Sequence, residues 1–95
     1  MKIITAFVRP FKLDELRNAI AQLGVQGVTV TEVHEIEFGP RHKVEIAVDA
    51  AVAEPVVEAI ANVSRTARPG DGLILVAHLE QAIRIRTGEI GTAAT

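Results

Sequence analysis

A chain of 95 residues with 10 basic and 12 acidic side chains, formal net charge -2, makes one domain and carries no global basic field for nucleic acid. It has no cysteine, which excludes disulfides, zinc-thiolate sites and thiol catalysis. Although 48% of it is hydrophobic, it has no Trp, no Tyr and three Phe, so the core must be built from Val, Ile, Leu and Ala.

Ile3 to Val8 is a short apolar run stopped by Arg9-Pro10 and predicts the first strand. From Lys12 to Leu23, Leu13, Leu16, Ile20 and Leu23 line one helical stripe, with Asp14 and Glu15 in the first turn and Gly24 as the stop. Val28 to Val33 is rich in β-branched residues and predicts a strand. Lys43 to Val48 alternates, with Val44, Ile46 and Val48 on one face. Phe38-Gly39-Pro40 is the turn signal between them, so the two runs form an antiparallel hairpin, extendable to residue 37 and from residue 41. A second helix is expected over Ala53 to Ala67, with Val56, Ile60, Val63 and Ala67 on one face and Pro55 in its first turn. Arg65 and Arg68 then fall near its end. Pro69-Gly70-Asp71-Gly72 is a tight loop and Leu73 to Leu79 the last strand. The tail around Arg84-Ile85-Arg86-Thr87-Gly88-Glu89 reads as polar and compact, with frayed final residues.

This order, strand, helix, strand, strand, helix, strand, predicts an α+β fold, the ferredoxin-like βαββαβ sandwich, with both helices on one face of an antiparallel sheet. The other face is left bare. Strands one and four are apolar on both sides, as strands buried on both faces are, and no sequence remains to cover them. A chain this short is often marginal alone. Further copies of it are the economical cover.

Chemistry-bearing groups are few. The glycines of Pro69-Gly70-Asp71-Gly72 let backbone N–H groups face an anion; a plain helix-to-strand turn is the commoner use of such a loop. Arg84 and Arg86 share a side if their segment is extended, and paired guanidinium forks suit phosphate oxygens. A solvated edge with surface ion pairs is the bland alternative. Thr29 and Glu45 are polar residues in otherwise apolar strands, equally suited to bonding a ligand or to facing solvent. Arg41-His42-Lys43 suits an acidic ligand, although a solvated strand end is the simpler reading. His34, His42 and His78 lack a ligand-type spacing, and His78 is expected to be structural. No metal triad or catalytic dyad stands out. The amino terminus lacks signal-peptide architecture, and no apolar run approaches the roughly 18 residues of a membrane span, so a cytoplasmic protein without membrane insertion is expected.

Within residues 1–33 stand Arg9-Pro10-Phe11-Lys12-Leu13-Asp14-Glu15-Leu16-Arg17 and Gly24-Val25-Gln26-Gly27-Val28-Thr29-Val30-Thr31-Glu32-Val33. Lys43-Val44-Glu45-Ile46, Pro69-Gly70-Asp71-Gly72 and Gln81-Ala82-Ile83-Arg84-Ile85-Arg86-Thr87-Gly88-Glu89 follow. In this joint order, which covers nearly the whole chain, the segments resemble the P-II nitrogen-regulatory proteins. The resemblance implies a homotrimer with adenine nucleotides in the clefts between subunits. ATP and ADP would compete there as effectors, with no prosthetic group and no catalysis, and 2-oxoglutarate would bind beside Mg-ATP. It implies regulation of nitrogen and carbon metabolism through partner proteins such as a transporter or an enzyme. By position, Gly70, Asp71 and Gly72 match the loop that approaches the phosphates. Arg84 and Arg86 match phosphate-binding arginines given by the neighbouring subunit. Thr29 and Glu45 match positions lining the cleft, and Arg41 falls where the family has a lysine near the terminal phosphate.

The departures from the family are as informative. The long signalling loop between strands two and three, the T-loop, is short by roughly 17 residues. Three origins fit: a naturally short loop, an engineered deletion, or loop residues omitted from the chain as written. The tyrosine modified in some members has no counterpart, since the chain has no Tyr. His34-Glu35-Ile36-Glu37 replaces the stretch that helps hold Mg-ATP and 2-oxoglutarate, and Glu35 and Glu37 would repel phosphate if turned into the cleft. Leu73 stands where a lysine follows the phosphate loop. Two other classes of function stay open on sequence: a small ferredoxin-like enzyme such as an acyl-phosphate hydrolase, for which Arg9 or the glycine loop would hold the anion, and a ligand-free structural trimer.

Overall fold

The computed structural model describes residues 1–25 and 27–91; the expectation of a frayed end falls largely outside them. Its elements run β1 (Lys2–Val8), α1 (Leu13–Ala21), β2 (Val28–Glu35), β3 (Gly39–Val48), α2 (Ala50–Ser64) and β4 (Gly72–His78), with a 3₁₀ turn at Pro10–Lys12 leading into α1. The strands form one antiparallel sheet in the order β2-β3-β1-β4, and the fold is the ferredoxin-like βαββαβ sandwich.

One sheet face holds the core. Ile4, Ala6 and Val8 of β1 lie opposite Ile46, Val44 and His42 of β3. Leu16 and Ile20 of α1 and Ala53, Val56 and Ile60 of α2 close over this face in one buried aliphatic cluster. Fully burying each Leu, Ile or Val contributes about 1.5–3 kcal/mol before entropy is counted. The other face carries Ile3, Thr5 and Phe7 of β1, flanked in register by Ala47, Glu45 and Lys43 and by Ala77, Leu75 and Leu73. Among the described residues no element covers it: Leu73 and Leu75 are 56% and 48% exposed. Even the helix side of β4 is thinly covered, since Val76 is 48% exposed.

Three regions differ from expectation by more than one residue, each for a local reason. The helix stripe predicted to Leu23 stops earlier. Val25 N–H donates to Ile20 O (3.2 Å) and Gly24 N–H to Ala21 O (3.0 Å), the Schellman closure, with Gly24 at φ +85°. The hairpin turns at Ile36–Phe38 rather than at Phe38-Gly39-Pro40. Glu35 pairs with Gly39, whose φ of +78° suits the glycine that ends a three-residue hairpin loop. Pro40 joins β3 beyond the end of β1, where its missing N–H breaks no ladder on that side. Finally, α2 starts and ends three residues earlier than expected. Asp49 caps it in extended conformation, which moves Pro55 out of the first turn to an exposed position. Ser64 takes the buried place expected of Ala67, and Arg65 and Arg68 lie beyond the helix.

Candidate functional site

The segment after α2 is folded by its own carboxylate. Arg65 leaves the helix with ψ 126°. Asp71 then reaches back, Oδ2 accepting the N–H groups of Thr66 (2.7 Å) and Ala67 (3.1 Å) while Oδ1 accepts the Thr66 hydroxyl. The Thr66 hydroxyl, then the Thr66 amide, with smaller help from the Ala67 amide and the Arg9 charge, hold the Asp71 carboxyl down at about 2 against partial desolvation. Arg9, the residue after β1, donates from Nη2 to Pro69 O at 2.8 Å and lies 3.5 Å from Asp71 Oδ1. Ala67 sits at φ +62°, a left-handed conformation that costs a non-glycine residue about 1–2 kcal/mol.

The two glycines of this loop have separate reasons. At Gly72 (φ +130°) a Cβ would fall 2.0 Å from Phe7 O, so no side chain fits where β4 joins β1. At Gly70 (φ +87°) a Cβ would stand 2.8 Å from the Phe38 ring and 3.0 Å from Arg41 Nη2. The loop therefore passes directly against the β2–β3 hairpin.

Arg41 makes that junction. It is 4% exposed, so the simpler reading of a solvated strand end does not hold for it. Its Nη2 donates to Gly70 O at 2.7 Å, and its guanidinium stands 5.4 Å from the centre of the Phe38 ring. Glu35, diagonal to it on the same sheet face, places Oε2 3.9 Å from Arg41 Nε. That Nε is buried with no hydrogen-bond partner among the described residues. A cleft of about 260 Å³ opens here, with Glu35, Phe38 and Arg41 on one side and Gly70, Gly72 and Leu73 on the other. The Gly70 amide has no hydrogen-bond partner among the described residues.

The fold thus gathers Arg41, Gly70, Asp71 and Gly72. Thr29 and Glu45 are direct cross-strand partners on the uncovered sheet face, with Lys43 Nζ 3.9 Å from Glu45 Oε1. Four residues of strand, roughly 13 Å, separate Glu45 from Arg41. Arg84 and Arg86 lie elsewhere, in the tail. Their segment is a turn and not an extended strand: Arg84 N–H donates to Glu89 O (2.9 Å), Gly88 N–H donates to Arg84 O (2.8 Å), and Ile83 bridges Ile90. The two-residue alternation that would put both guanidinium groups on one side does not apply there. Both are exposed, and neither joins an ion pair among the described residues.

Sequence reasoning did not single out Thr66, it named Phe38 only as part of a turn signal, and it offered Arg9 only as a possible anion holder. Arg9 instead fixes the loop through Pro69 and Asp71. A threonine five residues before a loop aspartate was the available signal for the Asp71 cap. Among the described residues, no group of three or more His, Asp or Glu could hold a metal ion.

Comparison with known proteins agrees with this architecture. The family described as Nitrogen regulatory protein P-II matches residues 1–89. The "Nitrogen regulatory protein P-II" of Rhizobium meliloti (strain 1021) is 42% identical, with 99% of each chain covered. That of Rhodospirillum rubrum is 41% identical, covering 96% of each. The "Nitrogen regulatory protein GlnK" of Escherichia coli (strain K12) is 35% identical over 99% of each. The first of these alignments runs over 111 columns, 16 more than the chain's 95 residues. With a P-II match over almost its whole length and full-length relatives of that name, the chain belongs to the P-II family of nitrogen regulatory proteins.

Proposed function

We propose that this P-II regulatory protein is a sensor of adenine nucleotides, not an enzyme, working in the cytoplasm as a homotrimer. The observation that carries the reading is the cleft at Arg41 and Gly70-Asp71-Gly72. There a buried guanidinium and the glycine loop line one cleft beside a sheet face that no element covers among the described residues. Phosphates of ATP or ADP would lie along the loop amides, which suit anions. Thr29 and Glu45 would line the cleft further along the same face. Arg84 and Arg86, free in the tail, would reach phosphates bound to a neighbouring subunit.

A sensor needs unequal affinity for two states, because a ligand that binds both equally shifts nothing. In this chain the output element is short. The three-residue turn at Ile36–Phe38 and the 16 extra alignment columns support a reduced T-loop, so control of a transporter or metabolic enzyme would be altered or lost while nucleotide binding persists. Binding of 2-oxoglutarate would be weak or absent, since Glu35 stands beside Arg41.

Isothermal calorimetry with ATP and with ADP tests the reading. Saturable, mutually competitive binding is expected, with no strong synergy between Mg-ATP and 2-oxoglutarate. Absence of heat with either nucleotide would leave a ligand-free structural trimer. Sedimentation at micromolar concentration tests the assembly, and a monomeric mass would overturn it.

A further inference from the structure

We infer that the β2–β3 hairpin and the loop between α2 and β4 are latched together by Arg41, so that the two open as one unit and the loop sets the position of the hairpin tip. The latch is a property of the chain itself and is independent of any ligand the loop holds.

Three residues of the hairpin make it. Arg41 Nη2 donates to Gly70 O at 2.7 Å, the one hydrogen bond of that guanidinium among the described residues. The Phe38 ring stands 5.4 Å from the guanidinium and lies so close to Gly70 that a Cβ there would be 2.8 Å from it. Glu35 Oε2 lies 3.9 Å from Arg41 Nε. From the other side Arg9, which follows the core strand β1, holds the adjacent carbonyl, Pro69 O, at 2.8 Å. Two successive carbonyls of one loop are thus gripped by two arginines, one from the core and one from the hairpin.

Burial makes the hairpin's grip hard to release by halves. Arg41 is 4% exposed, and its Nε already lacks a hydrogen-bond partner among the described residues. If the loop moves away alone, a buried charge loses its one hydrogen bond, which is costly. If the hairpin lifts alone, Gly70 O loses its donor and Phe38 loses the surface it lies on. Water reaches the guanidinium only when the two part together. Ile36, fully exposed at the tip, is two residues from Phe38 and follows that movement.

Native-state hydrogen exchange tests the latch, because it reads local opening residue by residue. The loop is read at the amides of Thr66 and Ala67, which donate to Asp71. The hairpin is read at the ladder amides of residues 33–35 and 39–41. Phe38→Ala and Arg41→Met lie outside the loop, yet each should speed exchange at Thr66 and Ala67 about fivefold or more. Asp71→Asn lies outside the hairpin and should speed exchange there, since coupling is reciprocal. The amides of Ile4 and Ala6 in β1 should keep their wild-type rates. Glu37→Gln, at an exposed turn position without an ion pair among the described residues, should change neither segment. Unchanged loop rates in both hairpin variants overturn the proposal, as does a hairpin indifferent to Asp71→Asn. Equal acceleration in β1 overturns it too, because the whole fold would then be opening. If Arg41→Met fails to fold, Phe38→Ala decides alone, since that side chain is 42% exposed and outside the core.

Discussion

The loop between α2 and β4 and the tail after β4 both carry residues matched to phosphate binding, yet they are built in opposite ways. The loop is tied down from three directions: Asp71 caps Thr66 and Ala67, Arg9 holds Pro69, and Arg41 holds Gly70. The tail is held by its own turn between Arg84 and Glu89, with Ile85 99% exposed at its tip. A loop built in advance and an exposed tail are what the proposed site between subunits would require. The uncovered face with Leu73 and Leu75 supplies an apolar surface for such a contact.

The sharpest way to break the loop half is Gly72→Ala. With φ at +130° and a Cβ 2.0 Å from Phe7 O, strain and clash together should destabilise the fold by about 3–5 kcal/mol in chemical denaturation. A loss under about 1 kcal/mol would show that the β1–β4 junction relaxes easily.

The tail should respond differently. Arg84→Ala or Arg86→Ala removes a charge-assisted bond worth about 1.5–3 kcal/mol, so nucleotide affinity should fall roughly ten- to a hundredfold. Thermal stability and assembly should hold, because exposed polar residues contribute little to an apolar interface. Lysine at either position should recover part of the loss, since an ammonium cannot form the bidentate fork. Equal affinities in all the chains would make the arginines a solvated edge.

Acid should loosen the loop before the tail. The folded Asp71 carboxyl lies at about 2, below its ordinary 3.8, so its stabilising effect is complete above 3.8 and is lost as pH falls through 2. Protection of the Thr66 and Ala67 amides from hydrogen exchange should fall across that window in wild type. In Asp71→Asn it should be lower throughout and insensitive to pH there. The smallest effect is expected at Ala67. Glycine relieves its left-handed strain but adds freedom to the unfolded chain, so Ala67→Gly should shift stability by about 1 kcal/mol or less.

Much of this architecture is legible in the sequence, because local patterns cause it. Alternation in residues 43–48 and the spacing of Leu16 and Ile20 place the core face directly. The bare second face follows from β1 and β4 being apolar on both sides. The end of α2 was not legible, since a side chain seven residues beyond it, Asp71, draws the chain out of the helix. Burial of Arg41 was hidden for a similar reason. Its partner Gly70 is 29 residues away, and only the folded sheet end brings the two together. The turn at Arg84–Glu89 defeated a rule that holds for extended chain alone.

The central claim, one nucleotide cleft made by two subunits, is tested most directly by mixing defective chains. One carries Gly70→Asp, which puts a carboxylate in the phosphate loop; the other carries Arg84→Ala with Arg86→Ala. Each alone should bind nucleotide poorly. After denaturation and joint refolding, about a quarter of the clefts in randomly mixed trimers should pair an intact loop with an intact tail, and calorimetry should recover that fraction of wild-type sites. No recovery, in trimers shown by mass to be mixed, would contradict the account.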